Sequence, residues 1–139
     1  MCLICQRIQQ IQEGCNPYFV KELQTGYVVL GDHQHFQGYT LFLCKEHQTE
    51  LFHLPPATKV KYLEEMSLVA EAVAKAFHAE KMNYELLGKE TRTCTGIFFP
   101  AGPTTWRAMG TTAKARYGGI PWRKCMTTPS ARPRRRWKP

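Results

Sequence analysis

The stretch Gly38-Tyr-Thr-Leu-Phe-Leu-Cys-Lys-Glu-His47 decides how the chain folds. Its six residues from Tyr39 to Cys44 are rich in aromatic, aliphatic and β-branched types, which favour a buried strand. A glycine precedes this run and a polar Lys-Glu-His step follows it. We therefore predict a central strand that carries His47 to a site at its end.

A second candidate site component lies at the start of the chain, where Cys2 and Cys5 have metal-ligand spacing. In a single folded domain we expect the central strand to bring His47 to these two thiols. The chain begins without a secretory signal pattern, so a metal or redox role is more typical of this pair than a structural disulfide. A redox role has less support, because no thioredoxin-like pattern follows. Two ordinary apolar residues at a frayed terminus are the remaining interpretation.

Charge divides the chain into two unlike parts. Residues 1–88 hold 7 Lys and Arg against 10 Asp and Glu, whereas residues 89–139 hold 12 against 1. We therefore predict a folded domain over 1–88 and a basic, irregular tail over 89–139. Such a tail raises nucleic acid or another acidic surface as a partner. The sequence has no apolar run of membrane-spanning length, so we expect no membrane partner and a cytoplasmic location.

The segments around the central strand predict an α+β domain. A short helix over 7–13 is expected to end at Gly14, and strands over 18–23 and 26–30 form a hairpin. A long helix should run from an N-cap at Thr58 to about Lys81, followed by a strand over 83–88. Two faces of that helix follow from the periodicity. Its buried face comprises Tyr62, Met66, Val69, Val73 and Phe77, and its solvent face comprises Glu64, Glu65, Glu71 and Lys75.

In their order, these segments resemble the histidine triad (HIT) family of nucleotide-binding hydrolases. The resemblance covers residues 1–88 and rests on the cysteine pair, the hairpin, the central strand, the long helix and the segment Asn83-Tyr-Glu-Leu-Leu-Gly88. It implies a mostly antiparallel sheet with one long helix, and a homodimer. The family's next segment should read roughly Asn-Gly-Asp-x-His-x-His-x-His. This chain has Lys89-Glu-Thr-Arg-Thr-Cys-Thr-Gly-Ile-Phe-Phe-Pro100 instead, so the triad is missing.

A frameshift accounts for the missing triad. Read one base out of frame, the codons from Glu90 to Pro100 permit Asp, a small residue, then His-Leu-His-Trp-His-Phe-Phe-Pro. The codon spanning Cys94 and Thr95, for example, then encodes only His or Tyr. Our hypothesis is that residues 89–139 are an out-of-frame translation of the domain's C-terminal third. The alternative is a genuine basic tail that makes the protein a non-enzymatic binder of nucleic acid or acidic surfaces.

The resemblance also implies chemistry. Family members bind a nucleotide or dinucleoside polyphosphate, and the middle histidine forms a nucleotidyl-histidine intermediate. Without the triad we assign no catalytic residue and expect an inactive chain, so its status as an enzyme stays open. His33 and His35 have the spacing of a pair but fall in a predicted polar loop.

Metal and nucleotide ligands follow from the same resemblance. Many bacterial members hold a structural zinc, for which Cys2, Cys5 and His47 match three of four ligands. The fourth ligand falls in the segment that the proposed frameshift removes, and Cys44 or Cys94 is a weak substitute for it. Three residues are candidates for nucleotide contact. Asp32 is the candidate for a hydrogen bond to the ribose, and its alternative role is that of a turn residue. Phe19 and Leu30 are candidates for contact with the base, and their alternative role is in the hydrophobic core.

Overall fold

The computed structural model describes residues 2–34, 36–86 and 93–101. Two helices and five strands make up this part of the chain, together with a short 3-10 turn, Leu51–His53. In chain order the elements are α1 (Leu3–Gln12), β1 (Phe19–Glu22), β2 (Gly26–Leu30), β3 (Thr40–Cys44), α2 (Pro56–Phe77), β4 (Lys81–Leu86) and β5 (Thr95–Ala101). The predicted α+β class and hairpin are therefore confirmed.

The five strands form one antiparallel sheet in the order β1-β2-β3-β5-β4. β3 lies at its centre, as its apolar composition predicts, and Phe42, Leu43 and Cys44 are fully buried. β4 begins two residues earlier than expected, at Lys81. Within the described residues β1 and β4 are the edges of the sheet, and each of the other three strands pairs on both sides.

β5 corrects the expectation that the chain beyond Gly88 is irregular. Thr95–Ala101 pairs with β3 on one side and with β4 on the other, inside the sheet. The reason is local: Ile97, Phe98 and Phe99 are strong strand formers that can cover a core, whatever the charge of the surrounding tail. The tail residues 89–92 and 102–139 lie outside the described residues, and their irregular character stays a prediction.

α2 packs on one face of the sheet through the predicted apolar side chains. It begins at Pro56, which suits a first helical position because proline has no amide hydrogen to leave unpaired. It ends at Phe77, where His78 adopts a left-handed backbone with φ 52°. Both ends differ from the predicted Thr58 and Lys81. None of the helices in the described residues combines the length and apolarity needed to cross a membrane.

Glu65 corrects the predicted solvent face of α2. Only 6% of this residue is exposed. Its carboxylate accepts hydrogen bonds from the backbone amides of Gln24 and Thr25, at 3.0 and 2.9 Å, and from the Thr25 hydroxyl, at 2.5 Å. The helix thereby holds the β1–β2 turn, whose amides face inward and require an acceptor.

α1 covers the opposite face of the sheet. It starts at Leu3, four residues before the predicted start, and Ile4 and Ile11 pack with Tyr27, Val29 and Leu43. The predicted end at Gly14 is confirmed: this glycine has φ 73° and its amide bonds the Ile11 carbonyl at 3.0 Å. Such a left-handed cap is typical of glycine. The sheet is consequently sandwiched between α2 and α1.

The loop between β2 and β3 is shaped by one buried amide. The Gln34 side chain donates to the carbonyls of Gly31 and Tyr39, at 3.0 and 2.8 Å, and accepts from the Gly38 amide at 2.9 Å. Gly38 has φ 85°, and a Cβ there would approach Phe77 to 2.7 Å. This position therefore requires glycine. The loop sets where β3 starts and where Asp32 lies.

Candidate functional site

Cys2, Cys5 and His47 meet at the start of α1. Cys2 is the N-cap of that helix and Cys5 follows in its first turn, so both thiols share one side. β3 ends at Cys44 and delivers His47 three residues later, where its Nδ1 lies 3.1 Å from the Cys5 Sγ. The three ligand atoms all lie within 4.8 Å of one another. The structure therefore brings together the residues that the sequence grouped.

The two thiols of this cluster differ in acidity. Burial works to raise the pKa of the Cys2 thiol, but the hydrogen bond with Thr93 and backbone hydrogen bonds at the helix start outweigh it, and the net pKa is lowered. Burial raises the pKa of Cys5, and its hydrogen bond with Cys2 and the charge there raise it further. Because metals bind thiolates, Cys2 is the better prepared of the two ligands.

Thr93 completes the surroundings of the cluster. Its hydroxyl oxygen lies 3.1 Å from the Cys2 Sγ and 3.4 Å from the His47 Nδ1. This residue is separated from Cys2 by 91 positions and is 1% exposed. The sequence offered no signal for it, since a threonine in an irregular polar segment has no recognisable ligand pattern.

Neither Cys44 nor Cys94 joins the cluster, which corrects their suggested role as substitute ligands. Both pack in the core beneath α2, on the far side of the sheet from α1. Burial raises the pKa of Cys44 to about 11, which disfavours the thiolate. Among the residues that the structure describes, the candidate metal group consists of Cys2, Cys5 and His47.

Asp32 forms a two-pronged ion pair with Arg7 of α1. Arg7 Nη1 donates to Asp32 Oδ1 at 2.6 Å, and Nη2 donates to Oδ2. The hydrogen bonds from Arg7 hold the pKa of the Asp32 carboxyl below its ordinary value. One third of the Asp32 side chain is exposed, at 33%. The structure thus gives Asp32 a charged partner that sequence reasoning missed, because the two positions are 25 residues apart.

A groove of about 320 Å³ opens beside this ion pair. One wall is the outer side of α1, and the other is the segment before β1 together with Asp32. Its lining combines side-chain amides, an aromatic ring and one ion pair, and comprises Leu3, Gln6, Arg7, Gln10, Asn16, Pro17, Tyr18 and Asp32. Its size reaches the lower end of the range of about 300–1,000 Å³ that small-molecule sites occupy.

The structure does not bring the two predicted base-contacting residues together. Leu30 is 6% exposed and belongs to the core beneath α2. Phe19 packs on the other face of the sheet, with the cluster beneath α1, and its ring meets that of Tyr27 edge to face at 6.4 Å. The two residues lie on opposite faces of the sheet and neither lines the groove beside Asp32, so their contact with a base stays a prediction.

β5 presents no histidine to the sheet face that α1 shares. Thr95, Ile97 and Phe99 alternate on that face, and the first two pair with Leu43 and Leu41 of β3. Phe99 stacks on Tyr39 with ring centroids 4.8 Å apart. This strand therefore places one hydroxyl and two apolar side chains on that face, and none of the three is an acid–base group.

The histidines of the described residues lie elsewhere. His33 is exposed on the loop after β2, and His53 lies in the 3-10 turn. His78 caps α2, and His47 belongs to the cysteine cluster. His35, the other member of the His33-x-His35 pair, lies outside the described residues.

Comparisons with known proteins address the fold. No family model matches the chain, and no curated protein matches its sequence. Solved structures do match, with TM-scores near 0.6, and three of them illustrate the likeness. A HIT protein from Sinorhizobium meliloti has a TM-score of 0.58 and 20% identity, with 71% of this chain and 75% of that chain covered.

A HIT family member from Bacillus subtilis has a TM-score of 0.60 and 20% identity, covering 71% of this chain and 72% of that one. A hypothetical histidine triad nucleotide-binding protein from Sulfolobus tokodaii has a TM-score of 0.60 and 17% identity, covering 88% and 86%. The chain therefore has the histidine triad fold. At these identities the likeness is one of fold.

Proposed function

We propose that this chain, which has the histidine triad fold, is a nucleotide-binding protein that does not transfer nucleotides through histidine. The observation that carries the proposal is β5. It occupies the place in the sheet between β3 and β4, and its positions on the face toward α1 hold Thr95, Ile97 and Phe99. The fold is that of nucleotide-binding proteins, while the strand lacks the nucleophile.

The missing nucleophile has a direct chemical consequence. A nucleotidyl-histidine intermediate needs one imidazole to attack phosphorus and a second proton donor for the leaving group. Period-two alternation on one strand is what aims such groups in the same direction. A threonine hydroxyl without a neighbouring base is a weak nucleophile, and Ile97 and Phe99 have none. We therefore expect no turnover of nucleotide substrates.

The groove beside Asp32 is the proposed nucleoside site. A carboxylate has about four lone-pair directions, and the ion pair with Arg7 uses two, so Asp32 retains capacity for a ribose hydroxyl. Arg7 also fixes the orientation of the carboxylate. The amide side chains of Gln6 and Gln10 supply donors and acceptors for a base edge, while Asn16 bonds the backbone of Arg7 and Tyr18.

We further propose a zinc ion at Cys2, Cys5 and His47. Thiolate sulfur and imidazole nitrogen are the ligands that zinc prefers in structural sites. In a tetrahedral site such atoms lie about 3.5–3.8 Å apart, given the usual zinc–ligand distances. The separations here, within 4.8 Å, need only a small contraction. The ion would join the start of α1 to the end of β3.

A homodimer is proposed through the edge strand β4. The side chains of Tyr84 and Leu86 are exposed there, at 54% and 46%. Antiparallel pairing of two β4 strands about Asn83 places Lys81 of each copy opposite Glu85 of the other. Opposite charges at paired positions favour this register, and pairing satisfies an otherwise open edge.

The basic tail supports a second candidate function, binding of nucleic acid or an acidic surface. Residues 89–139 carry 12 Lys and Arg against one acidic residue. Most of this segment lies outside the described residues, and its origin in a frameshift is likewise a proposal. If the tail arises from a frameshift, its charge has no role in function. If the reading frame is intact, we expect the basic tail to bind nucleic acid or an acidic surface.

Ribose-dependent binding tests the nucleoside site. We expect AMP to bind the full chain more tightly than 2′,3′-dideoxy-AMP, because only the former offers ribose hydroxyls to Asp32. Asp32→Asn should weaken AMP binding by about 10- to 150-fold, the equivalent of one hydrogen bond to a charged group, and abolish the difference between the two ligands. Isothermal titration calorimetry measures both.

One control variant and two contradicting outcomes sharpen the test. Glu64→Gln removes one negative charge from an exposed helix position and should leave both affinities unchanged. Equal binding of AMP and the dideoxy analogue by the unmodified protein would show that Asp32 does not bind ribose. Release of AMP from a dinucleoside polyphosphate, followed by chromatography, would contradict the predicted lack of turnover.

A further inference from the structure

The metal cluster differs from a closed structural site at its fourth position. A closed site needs a fourth sulfur, nitrogen or carboxylate oxygen. In the described residues the group ends with Cys2, Cys5 and His47. The hydroxyl oxygen of Thr93 contacts two of these ligand atoms, at 3.1 Å from the Cys2 Sγ and 3.4 Å from the His47 Nδ1.

These two distances match the separation of vertices in a tetrahedral zinc site, about 3.5 Å. Thr93 therefore lies beside the position that a fourth ligand would take, in contact with two of the three ligand atoms. Its hydroxyl is a poor substitute, because it is neutral and zinc in proteins favours thiolate, imidazole and carboxylate donors. A better donor arriving from solution would displace it or any water beside it.

Access to this position comes from the side of His47. That residue is exposed and both thiols are half-buried, whereas Thr93 is buried at 1% exposure. A small donor can therefore approach an ion between the thiols and His47 from the exposed side of His47. The arrangement is that of a three-ligand site with one open vertex, the type that zinc uses to bind exchangeable ligands.

We infer that a metal ion held by Cys2, Cys5 and His47 keeps an exchangeable fourth coordination position beside Thr93, which accepts a small imidazole-type donor from solution. This inference rests on the metal site proposed above. Among the described residues no further ligand joins these three, which leaves the fourth position for a donor from solution.

Cobalt(II) provides the test, because its visible spectrum reports coordination number and ligand type in place of silent zinc. The full chain is loaded with Co²⁺ and titrated with free imidazole. We expect thiolate-to-cobalt charge-transfer bands on loading, and a saturable shift of the ligand-field bands as imidazole enters the fourth position. Cys5→Ser should remove much of the charge-transfer intensity, which assigns the site.

Substitutions at Thr93 give the matched comparison. Thr93→His supplies an imidazole from the chain, and it should abolish the response to free imidazole. It should also tighten Co²⁺ binding by at least about tenfold, because loss of even an outer-shell partner changes metal affinity about 10- to 100-fold. Thr93→Gln has similar bulk without a good donor, and should keep the response. Circular dichroism checks that both variants fold.

The outcomes separate the two proposals. Absence of thiolate charge-transfer bands would remove the metal site, and the exchangeable position with it. Charge-transfer bands that are present but insensitive to imidazole in the unmodified chain would keep the metal site and overturn the exchangeable position. This second measurement needs no variant, so it stands even if Thr93→His fails to fold.

Discussion

Replacing Glu65 tests whether the buried carboxylate of α2 holds the β1–β2 turn. Glu65→Gln preserves the shape of the side chain but exchanges one acceptor oxygen for an amide group. In the structure one carboxylate oxygen accepts from the Gln24 amide and the other from the amide and hydroxyl of Thr25. Whichever way the new amide is oriented, its hydrogens face a backbone N–H.

The expected cost follows from these contacts. A hydrogen bond to a charged group contributes about 1.5–3 kcal/mol, and Glu65→Gln loses at least one, so the free energy of unfolding should fall by about 1.5–3 kcal/mol. Glu65→Ala leaves the amides of Gln24 and Thr25 without their acceptor. At about 1–3 kcal/mol for each, it should cost about 2–6 kcal/mol.

Urea denaturation of the full chain measures this cost. With a slope of about 2 kcal/mol per molar urea, the midpoint should fall by about 1 M for Glu65→Gln at an unchanged slope. Glu64→Gln is the matched control, because its side chain is 63% exposed and pairs only with Lys61 at 3.6 Å. That change should stay within about 0.5 kcal/mol of the unmodified chain.

A double-mutant cycle assigns the effect to the turn. Thr25→Ala removes the hydroxyl donor, and combined with Glu65→Gln it should show a coupling energy of at least about 0.5 kcal/mol, because the two side chains share a hydrogen bond. If Glu65→Gln costs no more than Glu64→Gln, the carboxylate does not anchor the turn and the reasoning is wrong.

Three further predictions follow from charge and from the coding sequence. Hydrogen bonds from Arg7 lower the pKa of the Asp32 carboxyl. The ion pair therefore stabilises the fold above the ordinary carboxyl pKa, and this stabilisation is lost as pH falls through the lowered pKa. Asp32→Asn should reduce the loss of stability at acidic pH, and an unchanged loss would contradict the ion pair. Lys81→Glu should weaken a β4-mediated dimer in analytical ultracentrifugation, and adding Glu85→Lys should restore it, whereas a dimer insensitive to both has another interface. Resequencing from codon 84 to the stop should reveal one base missing after codon 88; an unbroken frame would instead predict nucleic-acid binding that falls steeply with salt and requires residues 89–139.

Local patterns were sufficient for most elements of the fold. The apolar run before Lys45 predicted the central strand, the spacing of Tyr62, Met66, Val69 and Val73 predicted the inner face of α2, and Gly14 marked the end of α1. These signals act through neighbouring residues, where periodicity and backbone preference are strong. Helix ends were less accurate, because α2 starts at Pro56 and stops where His78 turns left-handed.

The absence of the triad was also readable from the residues, since no histidine occurs after His78. The mistake was to infer an irregular chain from that change of composition. β5 forms because its few apolar residues find two partner strands, and pairing with β3 and β4 outweighs the polar character of the flanking tail. Strand pairing depends on what lies alongside, which composition does not record.

Contacts between distant positions depended on the folded arrangement alone. Glu65 looked like a solvent-facing helix residue until the β1–β2 turn, 40 positions away, placed two amides and a hydroxyl against it. Thr93 reaches Cys2 across 91 positions because β5 lies beside β3, whose end carries His47. Sequence patterns identify chemically capable side chains, but the topology of the sheet selects which of them meet, because it sets distances that no local period encodes.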